Sequence, residues 1–342
     1  MMTSRNKGLK VFTLALLFII TITSFLLNYT NNVVSTSWDP KQMAYQFSEQ
    51  VKKLLKYARQ PCSCDTCILE EGSAWFEERF NITMQPFLTN QNAFLPQETY
   101  RWWLKLQGER SPKTMNETVQ DLFRLIPGNW DHLLGRNSSR CRRCAVIGNS
   151  GNLRQSQYGQ EIDAHDLVFR MNKAPTKGFE SDVGNKTTHH FVYPESYQEL
   201  RETVSMILIP FKILDLRWII SALTDGTISH TYIPVPRKIK VNKDKIMVYH
   251  PSFMKYVYDN WLQQHGRYPS TGFLSIIFAL HLCDEVDLYG FGADSKGNWH
   301  HYWENNPSAG AFRQTGVHDG DFEANVTQTL ASAAKVRFFK GR

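Results

Sequence analysis

No G-x-G-x-x-G turn occurs in the 342 residues, nor does a basic run interleaved with aromatics, an internal repeat or a low-complexity tract. The first absence disfavours a dinucleotide-dependent dehydrogenase, whose pyrophosphate rests on that glycine-rich turn. The second sets nucleic-acid binding aside. Charge is missing from residues 11–27 (VFTLALLFIITITSFLL), which follow Arg5, Lys7 and Lys10 with no acid before them. A signal peptide would carry a shorter apolar part closed by a small-x-small cleavage site, and about 17 apolar residues suffice to cross a thin bilayer. The stretch therefore reads as a transmembrane signal anchor, with residues 1–10 a cytosolic tail and everything from about residue 28 luminal.

Cysteine is scarce as well, with six in the chain. An oxidising lumen favours disulfides, so three bridges are expected. Zinc is the competing reading, because Cys64-x-x-Cys67 and Cys141-x-x-Cys144 look like two half-sites, but the gap between them far exceeds the usual spacing of about 15–20 residues. Sequons at Asn28, Asn81, Asn116, Asn137, Asn185 and Asn325 agree with luminal passage and make a glycoprotein of the expected product, Asn28 being too near the membrane for use. The net charge of +7 includes the three N-terminal cations. What remains on the luminal part is a mild excess that steers anions.

What is present is a chain able to bury a sizeable core, 42% hydrophobic and 13% aromatic. Residues 28–60 are polar and read as a stem, with a helix over 41–58; from about 61 to 342 the composition is that of one catalytic-sized globular domain. Seven short β-rich runs lie at 144–148, 166–172, 189–193, 205–211, 245–250, 285–292 and 335–339. Helical patterns separate most of them, at 196–204, 213–226, 251–266, 270–283 and 321–334. The alternation predicts an α/β fold whose largely parallel seven-stranded sheet is flanked by helices. Ligands of such sheets bind beyond the carboxyl ends of the strands, so the loops after the first, second and sixth runs are expected on one rim.

Four segments carry chemistry, in this order: CAVIGNSGNL with DLVFRMN, within Cys144–Asp182; PSTGFLSIIFALHLCDEVDLYGFG, within Pro269–Gly292; His301-Tyr302-Trp303-Glu304; and His318-x4-Glu323. A strand ending in Gly148, Asn149, Ser150 and Gly151 can bring backbone N–H groups to an anion, although a G-x-x-G turn alone is more often a plain connection. Ser270, Thr271 and Gly272 open an apolar helix, where free N–H groups and two hydroxyls make an anion site as well as a cap. The four segments together resemble the animal sialyltransferases, and with the apolar run and stem the resemblance covers the whole chain.

That resemblance implies a variant glycosyltransferase-A-like, Rossmann-like fold, a Golgi membrane enzyme of type II, and CMP-sialic acid as donor substrate, with no metal and no other cofactor. It implies that Asn149 and Asn172 bond the phosphate and ribose, with Ser150 and Gly292 on the same side, and that Ser270, Thr271 and Gly272 receive the sialic acid carboxylate. It makes His318 the general base, since imidazole titrates near working pH and a carboxylate base would be repelled by the donor's own carboxylate. His301 is then the group that meets the leaving phosphate. Glu323 has two readings, helix-end stabilisation or ligand orientation. Asp319-Gly320-Asp321 has the D-x-D form of a metal clamp, but a monophosphate donor offers no diphosphate and acids opening a helix have an ordinary capping role. The family pattern pairs Cys144 with Cys283, and Cys62 with Cys67 and Cys64 with Cys141 complete the set.

The stretch HHYWENNPSAGAFRQTGVHDGDFE (300–323) most closely resembles the members that form α2,3 linkages on galactose β1,3-linked to N-acetylgalactosamine of O-glycans or glycolipids. By the same resemblance Gln107, beside Trp102 and Trp103, together with Tyr232 and Tyr268 provides the polar contacts and aromatic wall an acceptor sugar needs, Tyr232 having strand packing as its plain alternative. Alternatives are another galactoside acceptor, or a luminal glycan-binding protein that keeps the fold without catalysis.

Overall fold

In a computed structural model the protein is described at residues 14–28, 62–108, 114–136, 139–294, 297–305 and 316–342. The tail, the stem helix expected over 41–58, the Asn137 sequon and part of the 300–323 stretch (306–315) lie outside these. The chain divides into two units, Met1–Gln60 and Pro61–Arg342. In the first, residues 14–28 are helical, and the hydroxyls of Thr21 and Thr23 bond back to the carbonyls of Leu17 and Ile19. No helix among the described residues is long and apolar enough to cross a membrane.

In the second unit the seven apolar runs become β1 (Arg143–Ile147), β2 (Leu167–Met171), β3 (His189–Val192), β4 (Ser205–Leu208), β5 (Ile246–Val248), β6 (Glu285–Tyr289) and β7 (Arg337–Phe339). Every pairing is parallel, in the order β5-β4-β3-β2-β1-β6-β7. Side chains alternate between two cores. Cys144, Val146, Phe169 and Met171 enter the larger one, while Ala145, Ile147 and Val168 enter the smaller with Leu153, Ile162 and Tyr302. Burial on both faces is why these strands read as continuous apolar runs. The Thr271–Leu282 helix is apolar around its whole circumference, as a fully buried helix must be, and it packs on β1, β2 and β6. Its Phe278 meets Phe87, Phe169, Phe191 and Tyr249 at centroid distances of 5.1–6.0 Å.

The chain builds outward from β1 to β5, then returns to the other side of β1 for β6 and β7. The reversal opens a crevice at the carboxyl ends of β1 and β6. Gly148 shows how closely the two loops meet there, since a Cβ on it would stand 2.3 Å from the Gly290 carbonyl oxygen.

Disulfides join Cys62 to Cys67, Cys64 to Cys141 and Cys144 to Cys283, the pairs the family resemblance implies. All four sulfurs of the zinc half-sites are thus spent in disulfides, Cys64 and Cys141 on each other, Cys67 on Cys62 and Cys144 on Cys283. Cys283, however, caps the far end of the Thr271–Leu282 helix and Cys144 stands near the start of β1, so this bridge lies away from the crevice rather than beside it.

The helix expected over 196–204 is absent. A single 3-10 turn, Pro194–Ser196, ends where the Ser196 hydroxyl bonds Tyr193, and the Tyr197 ring then reaches Trp218 while its hydroxyl bonds the Lys240 carbonyl. These contacts, followed by a turn that the Val204 N–H closes on the Arg201 carbonyl, take the place of the helix. The 251–266 pattern divides into an α-helix (Pro251–Tyr256) and a π turn (Val257–Trp261). Sequence reading did not place the helices Gln97–Lys105 and Met115–Leu122, although the latter opens with a capping box, Thr114 and Glu117, that is visible in the sequence.

Candidate functional site

A cleft of about 700 Å³ lies along the carboxyl edge of the sheet. Its lining includes every non-cysteine residue singled out above as donor-binding, acceptor-binding or catalytic, although they come from widely separated parts of the sequence. The loops after β1, β2 and β6 supply Asn149 and Ser150, Asn172, and Gly292, and two helix openings supply Ser270–Gly272 and the residues after His318.

At the β1/β6 crevice three of the turn's N–H groups are already engaged within the protein. Those of Gly148, Ser150 and Gly151 are taken by the carbonyls of Tyr289, Gly290 and His300, at 2.7, 3.0 and 2.8 Å. The turn is thereby fixed between β6 and the His300–His301 segment, and presents side chains instead. Asn149 donates through Nδ2 to the Met171 carbonyl at 3.3 Å. Its Oδ1 is buried without a protein partner, and so is Oδ1 of Asn172, a residue held in the left-handed region at φ 57°. Unpaired buried acceptors are costly, and two of them on one cleft wall call for a ligand that carries donors. Asn172 is pinned from β3: its N–H bonds the Phe191 carbonyl and its carbonyl meets Nε2 of His190 at 2.7 Å.

Ser270 is the N-cap of the Thr271–Leu282 helix, its Oγ accepting from Phe273 N–H at 3.1 Å. The carboxylate of Glu323 accepts from both the N–H and the hydroxyl of Ser270, at 2.7 and 2.5 Å. Glu323 lies in the first turn of its own helix, as the helix-end reading has it, and in addition joins the openings of two helices. Burial pushes its carboxyl up to about 7 against the pull of those two hydrogen bonds. With Ser270 engaged, the donors the helix opening can turn to an anion are its next residues, Thr271 and Gly272.

His318 directly precedes Asp319, whose carboxylate caps the Gly320–Ser332 helix by accepting from Phe322 N–H and also meets His265 at 3.1 Å. Asp319 therefore has the capping role that its place before the helix suggests. Nδ1 of His318 bonds the Tyr268 carbonyl at 2.8 Å, which makes Nδ1 the protonated nitrogen and Nε2 the lone-pair nitrogen. Burial holds the imidazole below its usual range, with the Tyr268 carbonyl opposing. His301 stacks on Trp303 at 4.4 Å, and its Nδ1 meets Glu304 at 2.9 Å.

At the other end of the cleft, Gln107 Nε2 lies 3.4 Å from the Tyr268 hydroxyl. The aromatic wall is Tyr193, Phe211, Tyr232 and Tyr268. Trp102 and Trp103 do not line it: Trp103 is buried with its indole N–H on the Pro210 carbonyl, and Trp102 packs against Tyr258. Tyr232 is a largely exposed loop residue and not strand packing. Sequence reasoning missed Lys212, Glu195 and Asp215 behind this wall. A lysine, a glutamate and an aspartate scattered over 21 positions carry no signal of a shared buried site.

Residues 87–335 match the model of glycosyltransferase family 29, the sialyltransferases. The chain is 71% identical to a CMP-N-acetylneuraminate-β-galactosamide-α-2,3-sialyltransferase 1 of Gallus gallus, and 66% identical to the protein of that name from Homo sapiens, each over the full length of both chains. A crystal structure of a mammalian sialyltransferase in complex with Gal-β-1-3GalNAc-ortho-nitrophenol superposes with a TM-score of 0.77 at 65% identity, covering 82% of this chain and all of that one.

Proposed function

The chain belongs to glycosyltransferase family 29, the sialyltransferases, and from that premise we propose that it transfers sialic acid from CMP-sialic acid, with inversion, to O3 of galactose in Gal-β1,3-GalNAc. The observation that carries this reading is the position of His318, held through Tyr268 between an end of the cleft suited to a nucleotide and an end suited to a sugar. In the reaction the acceptor O3 forms its bond to the anomeric carbon of sialic acid as the bond from that carbon to the phosphate oxygen breaks. The O3 proton passes to Nε2 of His318, and CMP leaves with the bonding electron pair. His301, near the β1 turn, is the group we assign to the leaving phosphate. Asn149 and Asn172 receive the nucleotide, whose hydroxyls and amine can satisfy their unpaired oxygens. Thr271 and Gly272 at the helix opening receive the sialic acid carboxylate. Holding a single phosphate asks for no divalent metal, and the reading includes none.

The experiment is transfer by the purified protein from labelled CMP-sialic acid to a panel of galactosides, with the product linkage determined. Transfer to O3 of Gal-β1,3-GalNAc is expected. A preference for lactosamine, or a product at O6, overturns the acceptor; absence of transfer to every galactoside overturns the function.

We also infer that the charge-free run at 11–27 anchors the protein in the Golgi membrane with residues 1–10 cytosolic and those from about 28 luminal. Protease treatment of intact microsomes tests this, since a luminal domain survives until detergent is added.

A further inference from the structure

Lys212 stands just behind the acceptor end of the cleft, 6% exposed, at the opening of the Ile213–Leu223 helix. Four groups surround its ammonium. Oε1 of Gln107 is at 2.6 Å, a carboxylate oxygen of Asp215 at 2.8 Å and one of Glu195 at 3.6 Å, and the Tyr232 ring has its centroid at 5.4 Å. Two of the four, Gln107 and Tyr232, line the cleft; Lys212 itself does not. An ammonium can only donate, so the amide oxygen of Gln107 must face it. That choice turns Nε2 of Gln107 toward the Tyr268 hydroxyl and the cleft. Without the ammonium, the carboxylates of Asp215 and Glu195 that surround it would favour the opposite orientation of the amide. The ring of Tyr232, otherwise exposed on a loop, is held by the same cation, and the neighbouring Thr231 hydroxyl bonds Glu195.

We propose that Lys212 is the positioning residue of the acceptor site: it sets which way the Gln107 amide points and where the Tyr232 ring stands, and thereby the affinity for the acceptor disaccharide. The proposal rests on the acceptor reading given above. Asp215 and Glu195 keep the ammonium in place; Asp215 is itself fixed by the Phe211 N–H at 2.8 Å.

The test uses the charge-balanced double variant Lys212→Met/Asp215→Asn, which avoids leaving a second carboxylate buried opposite no cation. Acceptor KM is expected to rise about tenfold or more, the loss of a charge-assisted hydrogen bond. Donor KM and the slow hydrolysis of donor without acceptor stay within about twofold. Adding Gln107→Ala to that variant costs little more, because one contact has already been lost. Gln107→Glu, which keeps the contact with Lys212 but presents no donor, reproduces the rise in acceptor KM and serves should the double variant fail to fold. A parental acceptor KM in either variant, or effects of Gln107→Ala and the Lys212 variant that multiply, overturns the proposal. If the parent enzyme does not use Gal-β1,3-GalNAc at all, the acceptor reading falls and takes this inference with it; parental transfer with an unmoved KM removes this inference alone.

Discussion

His318 is held from behind by the Tyr268 carbonyl and kept neutral by its burial, which is the state a general base needs before it accepts a proton. Replacing it by alanine is expected to lower kcat by about 10²–10⁴, the usual cost of a positioned base, while donor KM changes little. Steady-state kinetics with varied donor and acceptor measure this, and activity within a few-fold of the parent sinks the assignment. The pH profile has a sign. Because the imidazole is shifted below its ordinary 6.5, protonation disables it only at more acid pH, so the acid limb of kcat/KM falls below that value. The sequence singles out His318, His301, Asn149 and Asn172 because each stands in a short ordered motif, and the fold brings all four to one cleft. Lys212 is not singled out. A lysine before an apolar helix looks the same whether it is solvated or buried, and only the fold brings Gln107, from 105 positions earlier, to its side.

Two helices open onto the cleft, and Glu323 fastens one opening to the other through Ser270. The arrangement has an energetic cost that depends on pH. The carboxyl titrates at about 7 in the folded protein against an ordinary 4.5, so below about 4.5 it is protonated in both states and costs nothing. As pH rises from 4.5 to 7 the unfolded chain gives up its proton while the folded one retains it, and stability falls, by on the order of 3 kcal/mol in all. Thermal melts of the parent and of Glu323→Gln across that range are expected to converge or cross: the parent loses melting temperature with rising pH relative to the glutamine variant, which has no proton to lose. Parallel melting curves would contradict the shift. Element by element, the strands were the legible part, because burial on both faces writes each as an uninterrupted apolar run. Gln97–Lys105 and the 196–204 segment were not, since the first is only nine residues long and the second is shaped by Tyr197 reaching Trp218 and Lys240, contacts that no local pattern records.

For the molecule as a whole, the return of the chain from β5 to the far side of β1 decides where the cleft forms, and the strand order that encodes it is a tertiary outcome with no local signature. The disulfide Cys144–Cys283 spans that return, closing a loop of 139 positions that includes β2 to β5. Bridging so long a loop restrains the unfolded chain strongly, and removing a native disulfide of this kind costs about 2–5 kcal/mol. In a domain of this size that is a drop in Tm of about 3–9 °C. The same bridge is remote from the chemistry. Cys283 follows a helix of 12 residues whose other end is Ser270, about 18 Å away at 1.5 Å per residue, and four strand steps, about 13 Å, separate Cys144 from Gly148. Between these ends the helix is buried along its length and the strand is paired on both sides, so their cleft ends are held by packing that does not involve the sulfurs. The double variant Cys144→Ser/Cys283→Ser is therefore expected to melt earlier yet, assayed well below its Tm, to keep donor KM and kcat within about twofold of the parent. A several-fold rise in donor KM in a variant that remains folded would mean that the bridge sets the position of the helix opening, and that the packing of Phe278 among its aromatic neighbours is not enough to hold it.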